Sequence, residues 1–283
     1  GARRVVVVSG HGAPEVEAAC EGAARAGARF DLKFAHQSPQ LGTGHAVQQA
    51  APLLPDDSVT LVLNGDVPLV RPETLHALIA LSAGRQLALL TVDTGADAGA
   101  YGRIVRAEAG GAVQAIVEAK DATPAQRALT EWYSGVMAAP THLLKRWLAL
   151  LTDDNAQKEF YLTDVVKHAV AGGTPVQALC IADEVEVAGV NSPAQLAALE
   201  RAVQRAHAER LMEAGVRLAD PARFDLRGEL RCGQDVEIDV GCVFEGVVEL
   251  GDDVRVGAHC VIANARIAAG AVIHPFTHID GAA

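Results

Sequence analysis

The stretch CGQDVEIDVGCVFEGVVELGDDVRVGAHCVI, residues 232–262, decides the second half of the fold. Val236, Cys242, Val248, Val254 and Cys260 recur every six residues. Cys232, Ile238, Phe244, Leu250, Val256 and Ile262 form a second ladder with the same step. After Ile262 the phase slips by one and continues at Ile267, Ile273 and Ile279. A six-residue step places one short strand and one turn on each face of a triangular coil, so that every sixth side chain stacks inward. Small and medium aliphatics suit that narrow interior, and Gly251, Gly257 and Gly270 suit its corners. An antiparallel meander also alternates apolar and polar residues, but it has no reason to repeat at six over so many turns. The expectation is a parallel β-helix.

Working back from it, residues 193–213 carry AQLAALERAVQRAHAERLME behind Pro193, with neither Gly nor Pro after the first position. This reads as one long helix, a spacer between domains or an amphipathic packing helix. The first ~190 residues alternate apolar strand-like runs with helical stretches, the pattern of an α/β domain with a mainly parallel sheet. Buried strands are expected at residues 4–9 (RVVVVS), 60–64 (TLVLN), 87–92 (LALLTV) and 176–180; helices are expected at 14–26, 72–81, 141–151 and 163–171. The domain reading is therefore 1–192, a linker helix at 193–214, and the β-helix at 215–283.

Composition excludes several classes. With 24 Lys and Arg against 35 Asp and Glu the net charge is −11, the wrong sign for a nucleic-acid binder. Half of the residues are hydrophobic and 21% are charged, enough to bury a core. No apolar run approaches the ~20 residues that span a bilayer, and no signal peptide opens the chain. Five cysteines without a C-x-x-C spacing form neither a zinc site nor a disulfide framework, and they fit a reducing, cytoplasmic compartment. The chain opens almost directly on a strand, without an initiator Met, and its ladder is still running at Ala283. It reads as an internal segment of a longer protein.

Candidate functional residues lie where such sheets place them. TLVLN runs into Gly65-Asp66-Val67-Pro68, and ligands in open α/β sheets sit beyond the carboxyl ends of strands. Asp66 there can hold a magnesium ion, or simply form a turn or cap the next helix. Gln40-Leu41-Gly42-Thr43-Gly44-His45 is a glycine-rich turn that exposes N–H groups and a hydroxyl to a base edge or phosphate. Read alone, it is also a common loop, and His45 a packed or capping histidine. Gly102 permits close approach of a sugar, and Glu118 can accept from sugar hydroxyls or sit at an ion-pair edge with Lys120. Asn191 offers a neutral oxygen to a hard cation, or caps the helix that begins at Pro193.

The order of motifs is more specific than any one of them. QLGTGHAVQQAAP, GDVPL, YGRIVR, IVEAKDAT, DNAQKEFYLTDVV, VAGVNSPAQL and DPARFDLRGEL follow one another, and the hexapeptide ladder comes next. Over essentially its whole length the chain resembles the bifunctional bacterial UDP-N-acetylglucosamine pyrophosphorylase/glucosamine-1-phosphate N-acetyltransferase family. The resemblance implies a Rossmann-like nucleotidyltransferase domain followed by a left-handed parallel β-helix. It implies that Gln37, Gly42 and Thr43 contact the uracil, and that Asp66 and Asn191 ligate Mg²⁺ and act in catalysis through it. It implies that Asn64, Gly65, Gly102, Glu118 and Tyr133 line the nucleotide and sugar side of the pocket. The implied reaction is transfer of UMP from UTP to N-acetylglucosamine-1-phosphate, giving UDP-N-acetylglucosamine and pyrophosphate for cell-wall and lipopolysaccharide precursors. Acetyl-CoA would serve as co-substrate of a second activity, and the β-helix would assemble as a homotrimer.

Two residues depart from that pattern. Asn64 stands where many relatives have Tyr before Gly-Asp, and Tyr133 stands where many have Asn. The family's glycine-rich triphosphate loop is expected ahead of Gly1, and the acetyltransferase residues on later rungs. Turnover by this exact segment is therefore not expected. Two other readings remain: a nucleotidyltransferase for another sugar phosphate, and a non-catalytic trimeric assembly or binding module.

Overall fold

A computed structural model describes residues 2–25, 30–108 and 110–281. The chain divides into two compact units, Gly1–Gly189 and Val190–Ala283.

The first unit opens with β1 (Arg4–Ser9), α1 (Ala13–Arg25) and β2 (Asp31–His36), a βαβ unit whose strands pair in parallel from Arg4↔Asp31 to Ser9↔His36. The expected helix end at residue 26 lies outside the described residues. There follow α2 (Thr43–Ala50), β3 (Val59–Val62), α3 (Pro72–Ser82), β4 (Leu87–Val92), β5 (Arg103–Arg106), β6 (Val113–Val117), α4 (Pro124–Arg127), β7 (Trp132–Pro140), α5 (Thr141–Leu148), α6 (Val165–Ala171) and β8 (Val176–Ile181). The larger sheet has the order β6-β5-β7-β4-β8, with β3 paired to the far end of β7. β4 and β8 are parallel, and β3 and β4 share one direction because each is antiparallel to β7. β7 and the β5–β6 pair are antiparallel elements within this α/β sheet.

All six residues of β4 are buried. Leu87 and Leu89 enter one core with Met137, Leu144, Trp147 and Val165, whereas Ala88, Leu90 and Val92 enter a second with Leu78 and Val136. Alternate side chains thus feed opposite faces of a sheet covered on both sides, which is why LALLTV is apolar throughout. β1 differs. Its run of valines predicts a fully buried strand, yet Val5–Val8 are only half-buried. Among the described residues β1 has a neighbouring strand on one side only, and β3, also half-buried, has only β7.

The second unit begins with α7 (Pro193–Glu213), whose Ser192 Oγ accepts from the Gln195 N–H at 3.2 Å. Gln204, buried in mid-helix, donates to the Leu226 carbonyl at 2.9 Å and accepts from the Leu226 N–H at 2.7 Å, fastening the helix to the coil beneath. The coil comprises β9 (Arg217–Leu218), β10 (Phe224–Cys232), β11 (Glu237–Ile238), β12 (Cys242–Leu250), β13 (Arg255–Val256), β14 (Val261–Ala263), β15 (Arg266–Ile267), β16 (Val272–Ile273) and β17 (His278–Asp280). Every pairing among them is parallel, as at the start of a β-helix. Phe244 pairs with Ile262, three six-residue steps on, but Ile262 pairs with Ile279, one residue short of that interval. The phase slip in the sequence is therefore a shortened coil, turned at Asn264 with φ 47°. Val236, Ile238, Cys242, Phe244, Val248, Leu250, Val254, Val256, Cys260 and Ile262 are all buried. Burial pushes the half-buried Cys232 thiol up to about 11. Ion pairs outside, such as Arg266–Glu249 at 2.8 Å and Arg227–Glu245 at 2.8 Å, join successive coils.

One corner admits only the smallest residues. Gly228 has φ 149°, and a Cβ there would lie 2.0 Å from the Gly246 carbonyl oxygen of the next coil. No helix among the described residues is long and apolar enough to cross a membrane.

Candidate active site

The glycine-rich turn is shaped by what it packs against. Gly42 caps α2 with φ 106°, a conformation that glycine enters freely, and a Cβ there would meet the Phe160 carbonyl at 2.8 Å. The turn is fastened to residues 160–162 by three bonds. The Phe160 N–H donates to the Leu41 carbonyl at 2.8 Å, the Gly44 N–H to the Phe160 carbonyl at 2.7 Å, and the Leu162 N–H to Thr43 Oγ1 at 3.1 Å. Gln37, at the end of β2, reaches across and donates to the Gly42 carbonyl at 2.9 Å. Its amide also lies 3.2 Å from His45 Nδ1, while Gln49 Nε2 is 3.1 Å from His45 Nε2. His45 thus sits between two side-chain amides, a packing position rather than one facing open solvent.

Beyond the turn, the 160–163 segment leads to an acidic niche. Thr163 Oγ1 donates to Glu118 Oε1 at 2.9 Å. Burial pushes the Glu118 carboxyl above its usual range, and the carboxylates of Asp121 and Asp164 add to that, against the Thr163 bond and Lys167. Gly102 is buried, and a Cβ there would come to 3.6 Å from both Glu118 oxygens and 2.8 Å from Ile116 Cγ2. The Gly102 carbonyl accepts from the Tyr133 N–H at 2.9 Å. Tyr133 is 6% exposed, and its Oη has no hydrogen-bond partner among the described residues. Desolvation, then the nearby Glu118, pushes its pKa well above 10.0.

On the same strand, Gly135 (φ 88°) accommodates Asn64, whose Nδ2 would stand 2.1 Å from a Cβ at that position. β3 ends at Val62, two residues before the expected end, and Asn64, Gly65 and Asp66 form an exposed turn beyond its carboxyl end. Asp66 makes no hydrogen bond among the described residues, leaving both oxygens available. Those residues hold no group of three or more His, Cys, Asp or Glu side chains able to hold a metal ion. A single free carboxylate suits a hard divalent cation that keeps most of its shell as water and phosphate oxygen. Asn191 belongs to the second unit, where its N–H donates to Gln195 Oε1 at 2.8 Å beside the start of α7.

The structure thus links Gln37, Gly42 and Thr43, through the 160–163 segment, to Glu118, Gly102 and Tyr133. Thr163 and Tyr161 are not among the residues that the sequence singles out. Thr163 bonds Glu118, and Tyr161 is 7% exposed, with the carboxylates of Asp121 and Glu118 near its phenol. Their only signal is membership of the EFYLTDVV motif.

A family model described as the MobA-like NTP transferase domain matches residues 1–218. The chain is 66% identical over 288 residues to the bifunctional protein GlmU of Acidovorax ebreus (strain TPSY), covering 99% of the chain and 60% of that relative. It is 64% identical over 284 residues to the bifunctional protein GlmU of Methylibium petroleiphilum (strain ATCC BAA-1232 / LMG 22953 / PM1), covering 100% of the chain and 61% of the relative. It therefore spans about 60% of the length of the first of these curated relatives. Among solved structures, a nucleoside-diphosphate-sugar pyrophosphorylase from Vibrio cholerae RC9 superposes with a TM-score of 0.51 at 14% identity, over 69% of this chain and 80% of that one. That likeness is one of fold.

Proposed function

The chain belongs to the MobA-like NTP transferase domain family, and from that membership we propose that it represents the part of a bifunctional enzyme that transfers UMP from UTP to N-acetylglucosamine-1-phosphate. In this reading a phosphate oxygen of the sugar-1-phosphate attacks the α-phosphorus of UTP in line. The bond to the bridging oxygen breaks and pyrophosphate leaves. Such chemistry needs alignment and charge neutralisation rather than a covalent intermediate. Gln37, Gly42 and Thr43 hold the base; Gly102, Glu118 and Tyr133 hold the sugar; Asn64 and Gly65 line the wall between them. By the resemblance, Asp66 and Asn191 would be the residues that hold a Mg²⁺, which would screen phosphate charge. We assign this step to residues 1–192, the linker to 193–214 and the β-helix to 215–283. The acetyl-CoA-dependent step and the homotrimer belong to the whole protein, in the cytoplasm that five free cysteines suit.

The observation that carries the reading is the fastening of the glycine-rich turn to the acidic niche by one segment, 160–163. Through it the turn that bears Gly42 and Thr43 is tied by hydrogen bonds of Gly44, Leu162 and Thr163 to the carboxylate of Glu118. The 66% identity to a bifunctional GlmU supports it independently.

The test is pyrophosphate release from UTP and N-acetylglucosamine-1-phosphate, with and without Mg²⁺. It is run on this chain and on a longer form extended at its N-terminus to the length of the curated relatives. Mg²⁺-dependent turnover in the longer form, lost in Asp66→Ala, supports the reading. A folded longer form that releases no pyrophosphate refutes it.

A further inference from the structure

β5 and the residues after β6 alternate between two sides of the sheet. Gly102 and Glu118 meet at the acidic niche, and the residues that follow them, Arg103 and Ala119, line a separate cavity of about 670 Å³. Its other walls are the 95–99 turn, with Asp97, and the end of α4, with Arg127 and Thr130. That volume lies within the range of small-molecule sites.

The charge inside is inverted relative to the chain. Two guanidiniums and one carboxylate line the cavity of a protein whose net charge is −11. Arg103 is 3% exposed. Its Nη1 donates to the Gly99 carbonyl at 2.7 Å and to the Tyr101 carbonyl, and its Nη2 to Asp97 Oδ1 at 3.3 Å. Its buried Nε–H has no partner among the described residues. Asp97 is 84% exposed, so water screens most of what it offers the buried cation. Arg127 is exposed, and among the described residues it has no carboxylate partner. Arg127 thus offers a free fork from which planar or tetrahedral oxyanions accept in pairs, and Arg103, its Nη atoms already committed, adds the charge of a second guanidinium to the same lining.

We infer that this cavity binds a small multivalent oxyanion, phosphate- or carboxylate-bearing, with Arg127 in contact and Arg103 supplying positive potential from beneath. The site is independent of the proposed nucleotidyl transfer, whose residues do not line it.

Calorimetric titration of the chain with sodium phosphate and with sodium malonate, each against sodium chloride at matched ionic strength, tests the inference. Arg127→Gln weakens binding and Asp97→Asn tightens it, each by about five- to tenfold, the Coulomb effect of one charge several ångströms away in a partly solvated site. The side-chain amide of the Asp97→Asn variant keeps an oxygen for the Gly99 N–H, which bonds Asp97 Oδ1 at 3.0 Å in the native chain, so the turn survives. Anion bound at the candidate active site contributes equally in all three proteins. The tighter anion identifies the ligand as phosphate or carboxylate. Equal binding in all three proteins, weaker binding in Asp97→Asn, or binding of neither anion overturns the inference.

Discussion

Removing one oxygen from Tyr133 separates what the fold requires there from what a ligand requires. The hydroxyl is buried on a side chain 6% exposed, with no partner among the described residues. An unsatisfied buried hydroxyl costs about 1–3 kcal/mol. Tyr133→Phe removes that cost and leaves a void of about one oxygen atom, worth only a few tenths of a kcal/mol at ~24 cal/mol per Å³. The first effect wins. Ligand-free Tyr133→Phe is expected to be more stable by about 1–2 kcal/mol, a rise of roughly 2–8 °C in the melting temperature of a unit this size. In the proposed reading, in which Tyr133 holds the sugar, binding moves the other way: losing one neutral hydrogen bond of ~0.5–1.5 kcal/mol weakens affinity about 2- to 10-fold. Urea unfolding and calorimetry with N-acetylglucosamine-1-phosphate read the two numbers.

The ionisation of Tyr133 gives a second readout. Its folded pKa is raised, so its contribution to stability is present below 10.0 and is lost as pH rises through the folded value. Alkaline titration followed by tyrosinate absorbance should show Tyr133 ionising only as the unit unfolds. A Phe variant that is less stable without ligand, or that binds the sugar phosphate unchanged, refutes the reasoning.

Glu118 has a raised folded pKa, so its contribution is full below 4.5 and is lost as pH rises through the folded value. Stability of Glu118→Gln relative to the native chain should therefore grow from pH 4 to pH 7 in chemical denaturation; a gap that stays constant counts against a desolvated carboxyl. Gly228→Ala sets a Cβ 2.0 Å from a backbone oxygen, whereas Gly270→Ala, with φ 74°, meets nothing within 4 Å. The first should cost more than ~3 kcal/mol and the second about 1 kcal/mol by urea unfolding, and equal costs would contradict the stacked corner. Asn64→Tyr and Tyr133→Asn should each lower sugar-phosphate affinity, and the double variant should recover part of the loss; strict additivity in calorimetry would show that the two positions do not communicate.

The readable parts of the fold are those whose signal is local. β1 and β4 lie where two apolar runs predict them, because each run is short and β-branched or continuously apolar. The coil is legible even to its one-residue slip, since each inward position depends only on the residue one rung away. β7 escapes, although it borders β3, β4 and β5: WYSGVMAAP is broken by Ser134-Gly135 and rich in Ala, a composition that favours no strand until neighbours bury it. β2 escapes too, a short DLKFAH run beside an unremarkable helix. At the site, Gly42 and Glu118 are visible from residue type and motif, but Thr163 is not. Its role arises from a contact with Glu118 across 45 residues of chain, which no local pattern encodes.

Asn64 and Tyr133 are the two positions at which the sequence departs from the pattern it resembles, and they meet around a single feature of the fold. Asn64 lies over Gly135, and Tyr133 is two residues before it on β7, where the pairing with β4 shifts register between Tyr133 and Met137. Gly135 has no room for a side chain because the Asn64 amide occupies the space. Tyr133 places its hydroxyl in a desolvated position beside Glu118, whereas Asn64 sits in the exposed turn that carries Asp66 beyond the end of β3. Both departures therefore bear on one short segment of β7, Asn64 through the space over Gly135 and Tyr133 through its phenol.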